Sequence, residues 1–356
     1  MDFFDTVVTE DAKAIVRKCL DSGMLSEGKI VASFEDALEQ VFGYKGVAVN
    51  SGTSALHLAL ILACVNRGDE VILPAQTFVA TGLAVLYCGA IPVFADIQMN
   101  GNIDTIDVRR KITKKTKAII CVSWGGNPCD LLTLQVICRD YGLKLIQDNA
   151  QAFGATYLGN PISDYGDFSC FSFQAIKHLT TGDGGLLVCK SEEDYEKARR
   201  LRWFGIDRNL NLADETGERQ YNLSELGYKY HMNDYSAALG LGNLHGVKGR
   251  LLARKRISEY YDTYLQRYWI SRNVGSSHWL YTIWVEKRDG FIKMMKSKNI
   301  SVSVVHVGID RNNIFRSVAD LPVQRKWDEH HICLPCHSSL SVEDCQRIVE
   351  AVKGGW

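Results

Sequence analysis

Near the start of the chain the apolar positions recur at helical spacing, with Ala12, Ile15, Val16 and Leu20 on one stripe and Phe34, Leu38 and Phe42 on a second, separated by Gly28. From Gly46 the pattern changes to short apolar runs at residues 47–49, 71–73, 92–95, 118–122, 143–147, 168–173 and 186–189, alternating with helical stretches. That alternation predicts βα units on a largely parallel sheet. The apolar pattern lapses after Arg208, and residues 211–221 read as an exposed loop; the helix expected next, at 235–244, is rich in Ala, Gly and Leu and suited to close packing. Beyond Lys248 come a basic amphipathic helix at 250–268, strands at 280–285 and 300–305, a helix at 291–297 between them, and a last helix at 342–352. We expect a large α/β domain over residues 1–247 and a smaller α+β domain over 248–356. With no flexible linker between them, the two are expected to share a cleft.

Composition narrows the class. A chain of 356 residues that is 46% apolar can bury one large core and a second smaller one. Its 41 basic and 41 acidic side chains cancel, so no net field favours nucleic acid or an anionic membrane. No run approaches the roughly 20 apolar residues of a membrane span, and Met1-Asp2-Phe3-Phe4-Asp5 lacks the basic and apolar regions of a secretory signal. The cysteines number eleven and lie mostly in apolar segments, as at Cys64, Cys121, Cys170 and Cys189, which reads as reduced, buried thiols in a cytoplasmic protein. Cys333-Leu334-Pro335-Cys336-His337 has the spacing of c-type haem attachment, and with His330 and His331 it offers zinc ligands. Lacking an export signal or a second CxxC pair, the segment is read as a short strand at 332–334 ending at Pro335, with no metal.

Lys177 carries the chemistry. It stands in Ser172-Phe173-Gln174-Ala175-Ile176-Lys177-His178-Leu179-Thr180-Thr181-Gly182-Asp183-Gly184-Gly185, between an apolar strand and a glycine-rich turn, a setting for amine chemistry rather than solvation. Upstream, Asn50-Ser51-Gly52-Thr53-Ser54-Ala55-Leu56 follows a strand and opens a helix, where free N–H groups and the helix dipole suit a phosphate; ordinary N-capping by Ser51 or Thr53 explains the same residues. Asp148 ends the run at 143–147, at the strand edge where open α/β sheets place ligands, although Asp is also a common N-cap. Gln151 would face the same site. Phe78, in the loop after the strand at 71–73, is placed either to stack on a flat ring or to fill the core, and the Ser172 hydroxyl suits a phosphate. Together these describe a pyridoxal phosphate (PLP) site, because a carboxylate beside the pyridine nitrogen keeps it protonated and the ring electron-accepting.

The order of these stretches, with Gly227-Tyr228-Lys229-Tyr230-His231-Met232-Asn233-Asp234, resembles the sugar-nucleotide aminotransferases of the DegT/StrS type over nearly the whole chain. The resemblance implies the three-layer α/β/α fold type I of PLP enzymes, similar to aspartate aminotransferase. It implies that Lys177 forms the Schiff base and acts as acid and base, and that Asp148 pairs with the pyridine nitrogen. Gln151 would contact the ring hydroxyl, Phe78 would stack on the ring, and Gly52, Thr53, Ser54 and Ser172 would hold the phosphate. The activity implied is transfer of the amino group of L-glutamate, through pyridoxamine phosphate (PMP), to a nucleotide-linked keto-deoxysugar, with C4 of a 4-keto-6-deoxyhexose expected from family frequency. Such amino sugars serve surface polysaccharides or glycoconjugates.

Two departures stand out. Lys229 occupies the place of an asparagine that reaches the neighbouring subunit's cofactor phosphate, which implies a homodimer with a shared active site, and Asn149 replaces an alanine. His306 lies where relatives place a residue near the sugar, and a structural histidine at a strand end fits equally. The sugar-dehydrating branch of the family carries histidine in place of the lysine, so Lys177 speaks against it. A non-catalytic PLP-binding regulator is the remaining alternative, and the full set of catalytic residue types speaks against that.

Overall fold

The computed structural model describes residues 1–207, 215–219, 221, 223–268 and 270–356; of the loop expected at 211–221, residues 211–214 and 220 lie outside them. All seven expected runs of the first part are strands: β1 (Gly46–Val49), β2 (Glu70–Pro74), β3 (Ile91–Ala95), β4 (Thr116–Val122), β5 (Lys144–Asp148), β6 (Phe168–Ser172) and β7 (Gly185–Cys189). They form one sheet in the order β1-β7-β6-β5-β4-β2-β3. Every neighbouring pair is parallel except those that β7 makes with β1 and β6.

Successive side chains of a strand point to opposite faces, and here both faces are covered. Val47, Val49, Val71 and Leu73 pack with Leu56, Leu58 and Ala59 of the helix Gly52–Leu62, while Ala48, Ile72 and Ile119 pack with Phe34, Leu38 and Phe42 of the helix Lys29–Phe42. Double coverage explains why the strands read as continuous apolar runs. Each large aliphatic side chain so buried contributes about 1.5–3 kcal/mol.

The first helix, Glu10–Ser22, differs from its expected stripe. Its buried positions are Ala12 and Cys19, and Leu20 is 54% exposed. The cause is a close approach by the helix Asp234–Leu244, where a side chain at Gly242 would come within 2.2 Å of the Ala12 backbone. Such contact leaves room for a narrow line of small residues only. The expected close packing of that Ala/Gly/Leu-rich helix is therefore made with the N-terminal helices of its own chain. Cys64 is likewise exposed, and nine of the other ten cysteines are buried.

In the C-terminal part the amphipathic helix runs Val247–Tyr264, and β8 (Tyr281–Trp284) pairs antiparallel with β9 (His331–Leu334). Ile257, Tyr261, Phe291, Met295, Ile348 and Val352 gather there in a separate core. The strand expected at 300–305 does not form. It makes one isolated bridge, Ser303 to Cys333, and Val305 has φ +62°, a left-handed conformation outside the β region. The Val305 N–H bonds the Ser303 hydroxyl (3.0 Å) and the His306 N–H bonds the Val304 carbonyl (2.8 Å), so local turn contacts override the β propensity of the valines. The expected strand before Pro335 is β9, and the side chains around it are engaged: Cys336 faces the Arg254 and His278 carbonyls, and both ring nitrogens of His331 face carbonyls. No helix among the described residues is long and apolar enough to cross a membrane.

Candidate active site

Sheet register brings the separate motifs together. Val49 pairs with Gly185, and Gly185 pairs with Ser172, so the end of β1, the start of antiparallel β7 and the end of β6 lie side by side. Asp148 pairs with Val122 on one side and Cys170 on the other, at the same edge. The approach is close enough that a side chain at Gly185 would meet the Ser51 carbonyl at 2.6 Å. Between β6 and β7 the chain makes an excursion closed at its base, where Phe173 donates to the Gly184 carbonyl and accepts from the Thr181 N–H (both 2.9 Å). Lys177 rides on this excursion.

These elements surround a cavity of about 500 Å³. Gly52, Thr53, Phe78, Asp148, Gln151, Ser172, Lys177 and His306 all line it. Ser54 does not; its hydroxyl donates to Asn50 Oδ1 (2.6 Å), and its N–H is capped by the Ser51 hydroxyl (3.1 Å). Lys229 is exposed and also lies outside the lining, with its carbonyl accepting from the Asn50 amide (3.3 Å).

Asp148 is 6% exposed. Its Oδ2 accepts from the Thr81 hydroxyl (2.7 Å) and its Oδ1 from the Ala150 N–H (3.1 Å). Burial raises its pKa above the ordinary carboxylate value, against the pull of Thr81, Ala150 and Lys177. The Lys177 amine is driven the other way: burial lowers it from 10.5 to about 8, although Asp148 pulls it up. Gln151 Oε1 accepts from the Gly125 N–H (2.7 Å), which fixes the amide orientation and leaves its NH2 as the group to offer. Phe78 is 56% exposed, unusual for a large aromatic side chain, and its ring centroid lies 5.3 Å from that of His306. Burial, with the Lys177 charge adding to it, lowers His306 to about 4.

Thr81, Phe4 and Trp279 are among the lining residues that had no role in the sequence reading. Thr81 was legible as the partner of Thr77 at helical spacing, and the two hydroxyls are 2.7 Å apart. Phe4 and Trp279, brought in from the N-terminal segment and from the segment before β8, carry no local signal.

A profile of the DegT/DnrJ/EryC1/StrS aminotransferase family matches residues 7–353. The chain belongs to that family. This aminotransferase is 33% identical over 356 residues to the GDP-perosamine synthase of Caulobacter vibrioides, covering 95% of this chain and 93% of that protein. Among solved structures, the sugar aminotransferase CalS13 of Micromonospora echinospora superposes with a TM-score of 0.94 at 31% identity, over 100% of both chains. The Streptococcus pneumoniae protein Spr1654, solved in a PLP form, gives 0.89 at 29%, covering 99% of this chain and 97% of that one. The architecture of this aminotransferase is fold type I, as expected.

The residues present fit PLP. The start of the helix Gly52–Leu62 leaves the Gly52 and Thr53 N–H groups without intrahelical acceptors. Gly52 stands so near Ser172 that a side chain there would meet its Cβ at 3.0 Å. A carboxylate, an amine and an uncovered aromatic ring complete the donor set.

Proposed function

We propose that this aminotransferase binds PLP and moves the amino group of L-glutamate onto C4 of a nucleotide-linked 4-keto-6-deoxyhexose. The observation that carries the reading is the meeting of the Lys177 amine, the Asp148 carboxylate and a helix N-terminus in one cavity. When bound, PLP supplies an aldehyde for amine exchange and a ring that accepts electrons. Asp148, held by Thr81 and Ala150, keeps the pyridine nitrogen protonated. Gly52, Thr53 and Ser172 hold the phosphate, with the helix dipole favouring its charge. Ser54 supports that turn through Asn50 and Ser51. The Gln151 NH2 donates to the ring oxygen, and Phe78 covers the ring. With its pKa near 8, about a tenth of the Lys177 amine is neutral at pH 7, so it can take the proton from the donor's α-carbon as a base and then, protonated, serve as the acid that completes the transfer. His306, lowered to about 4, meets the sugar as a neutral hydrogen-bonding ring.

The sugar nucleotide is supported by the similarity to a GDP-perosamine synthase and a sugar aminotransferase. Lysine at position 177 favours transamination over the dehydrating branch. We further propose a homodimer in which Lys229 reaches the neighbour's cofactor phosphate, a division into two domains near residue 248, and a cytoplasmic setting consistent with free thiols.

The experiment is spectroscopic. The purified protein is expected to be yellow, borohydride to fix the cofactor to the peptide containing Lys177, and glutamate alone to bleach the visible band. Fixation at another lysine overturns the assignment, and a response to a different donor alone overturns glutamate. Assay of dTDP-, GDP- and UDP-linked ketosugars, with the product read by NMR, decides nucleotide and position.

A further inference from the structure

Trp279 is distant from Lys177 in sequence, yet its indole walls the cavity beside it, 2% exposed, with the Lys177 Nζ 3.9 Å from the ring centroid. The ring is held from several directions. Its Nε1 donates to the carbonyl of Ile176, the residue before Lys177 (3.0 Å). Phe4 stacks on it, with centroids 5.1 Å apart and planes at 22°. Buried Arg254 donates to the Trp279 carbonyl (3.3 Å) and lies 3.9 Å from the Asp5 carboxylate, so one guanidinium holds the backbone beside both aromatic rings. The Gly125–Gly126 turn, at φ +63° and +90°, accepts N–H groups from Leu280 (3.1 Å) and Ser277 (3.0 Å) and seats the segment against the sheet edge. A side chain at Gly126 would meet the Ser277 hydroxyl at 2.5 Å, so the approach depends on glycine there.

We propose that Trp279 is a positioning residue whose indole face receives the Lys177 amine whenever that amine is not bonded to the cofactor. The other group favouring the charged amine is Asp148, which the proposed function commits to the cofactor ring; Asp183 and His306 also line the cavity, and neighbouring His178 and His306 are neutral near pH 7 because burial lowers both. An aromatic face attracts an ammonium through its quadrupole without neutralising it. The amine is thereby held close to the reacting atoms and stays free to leave. This role in the cycle rests on the function proposed above; the contact itself does not.

The test titrates the Lys177 amine in the cofactor-free protein, by trace labelling with acetic anhydride across pH and mass spectrometry of its peptide. Tryptophan at position 279 is replaced by mono-, di- and tetrafluorinated analogues of nearly the same shape, which weaken the quadrupole stepwise. The midpoint is expected to fall with each step, by on the order of one pH unit in total. Trp279→Leu is expected to give a similar fall, and Trp279→Phe to recover part of it. A flat series overturns the inference, since a merely structural tryptophan would leave the midpoint unmoved. Borohydride fixation separates the two ideas: a label at Lys177 with a flat series sinks this inference and leaves the function standing. A graded series with no label at Lys177 removes the role in the cycle.

Discussion

Two regions meet in the cavity and are built differently. Asp148, Ser172 and the Ser51–Thr53 turn sit at strand ends, placed by a ladder whose register follows from adjacent apolar runs. The segment carrying His306 has no ladder. It is held by borrowed contacts: the Gln76 amide donates to the His306 carbonyl (3.1 Å), Gln324 donates to Gln76 Oε1 and to Asp328 Oδ1 (both 2.8 Å), and Asp328 Oδ1 accepts from the Gly308 N–H (2.9 Å). Asp96 in turn takes the first N–H groups of the helix Pro322–His330 through Val323 (3.0 Å) and Gln324 (2.9 Å). Gln76 and Gln324 are fully buried, and a buried amide that loses its partner forfeits the desolvation it has already incurred. The groups proposed for amine chemistry are thus positioned by the ladder of the sheet, and the segment carrying His306 by a long-range polar network.

The largest break in this contrast comes from Lys177→Ala, expected to lower turnover on the order of 10³-fold or more while leaving the fold intact. Mixed with a Lys229→Glu chain, it is expected to recover activity in part, because one site of each mixed dimer carries neither defect. If subunit exchange is demonstrated and no activity returns, Lys229 does not act across an interface.

Asp148→Asn is expected to cost about 10²–10⁴-fold in turnover. Its effect on stability has the opposite sign. Burial raises the folded-state pKa of Asp148, so the stability this group contributes below its ordinary value of 3.8 is lost as pH rises through the folded value. The cofactor-free variant is therefore expected to melt no lower than the native protein at neutral pH, with its relative advantage growing from acid to neutral. A lower melting temperature at pH 7 would show that Thr81 and Ala150 outweigh burial.

Gln76→Leu addresses the other region. It frees the His306 carbonyl and is expected to destabilise the protein by about 1–3 kcal/mol. KM for the ketosugar should rise while the half-reaction with glutamate is unchanged; equal damage to both halves would erase the contrast. The smallest effect belongs to Val305→Gly. A non-glycine residue at φ +62° stores about 1–3 kcal/mol, and the added chain entropy of glycine takes back about 0.5–1, so thermal denaturation should show a change of about 0–2.5 kcal/mol, on the stabilising side. A clear fall would mean that the turn is not strained.

The sequence by itself determined the sheet and singled out the pair proposed for the chemistry. Doubly covered strands must be apolar on both faces, so seven short runs marked seven strands. Lys177 and Asp148 were legible because each sits in a local pattern that ordinary surface residues do not share. Tertiary structure decided the rest. Leu20 belonged to a plausible apolar stripe until a glycine-bearing helix approached closely enough to admit only small residues. The valines at 302, 304 and 305 carried β propensity, but turn contacts and a distant glutamine bent them into a loop. Phe4 and Trp279 joined the cavity through Arg254 and the Gly125–Gly126 turn. Contacts of this kind link residues far apart in the chain, and their geometry is set by which surfaces meet after the sheet has formed, so no local spacing records them.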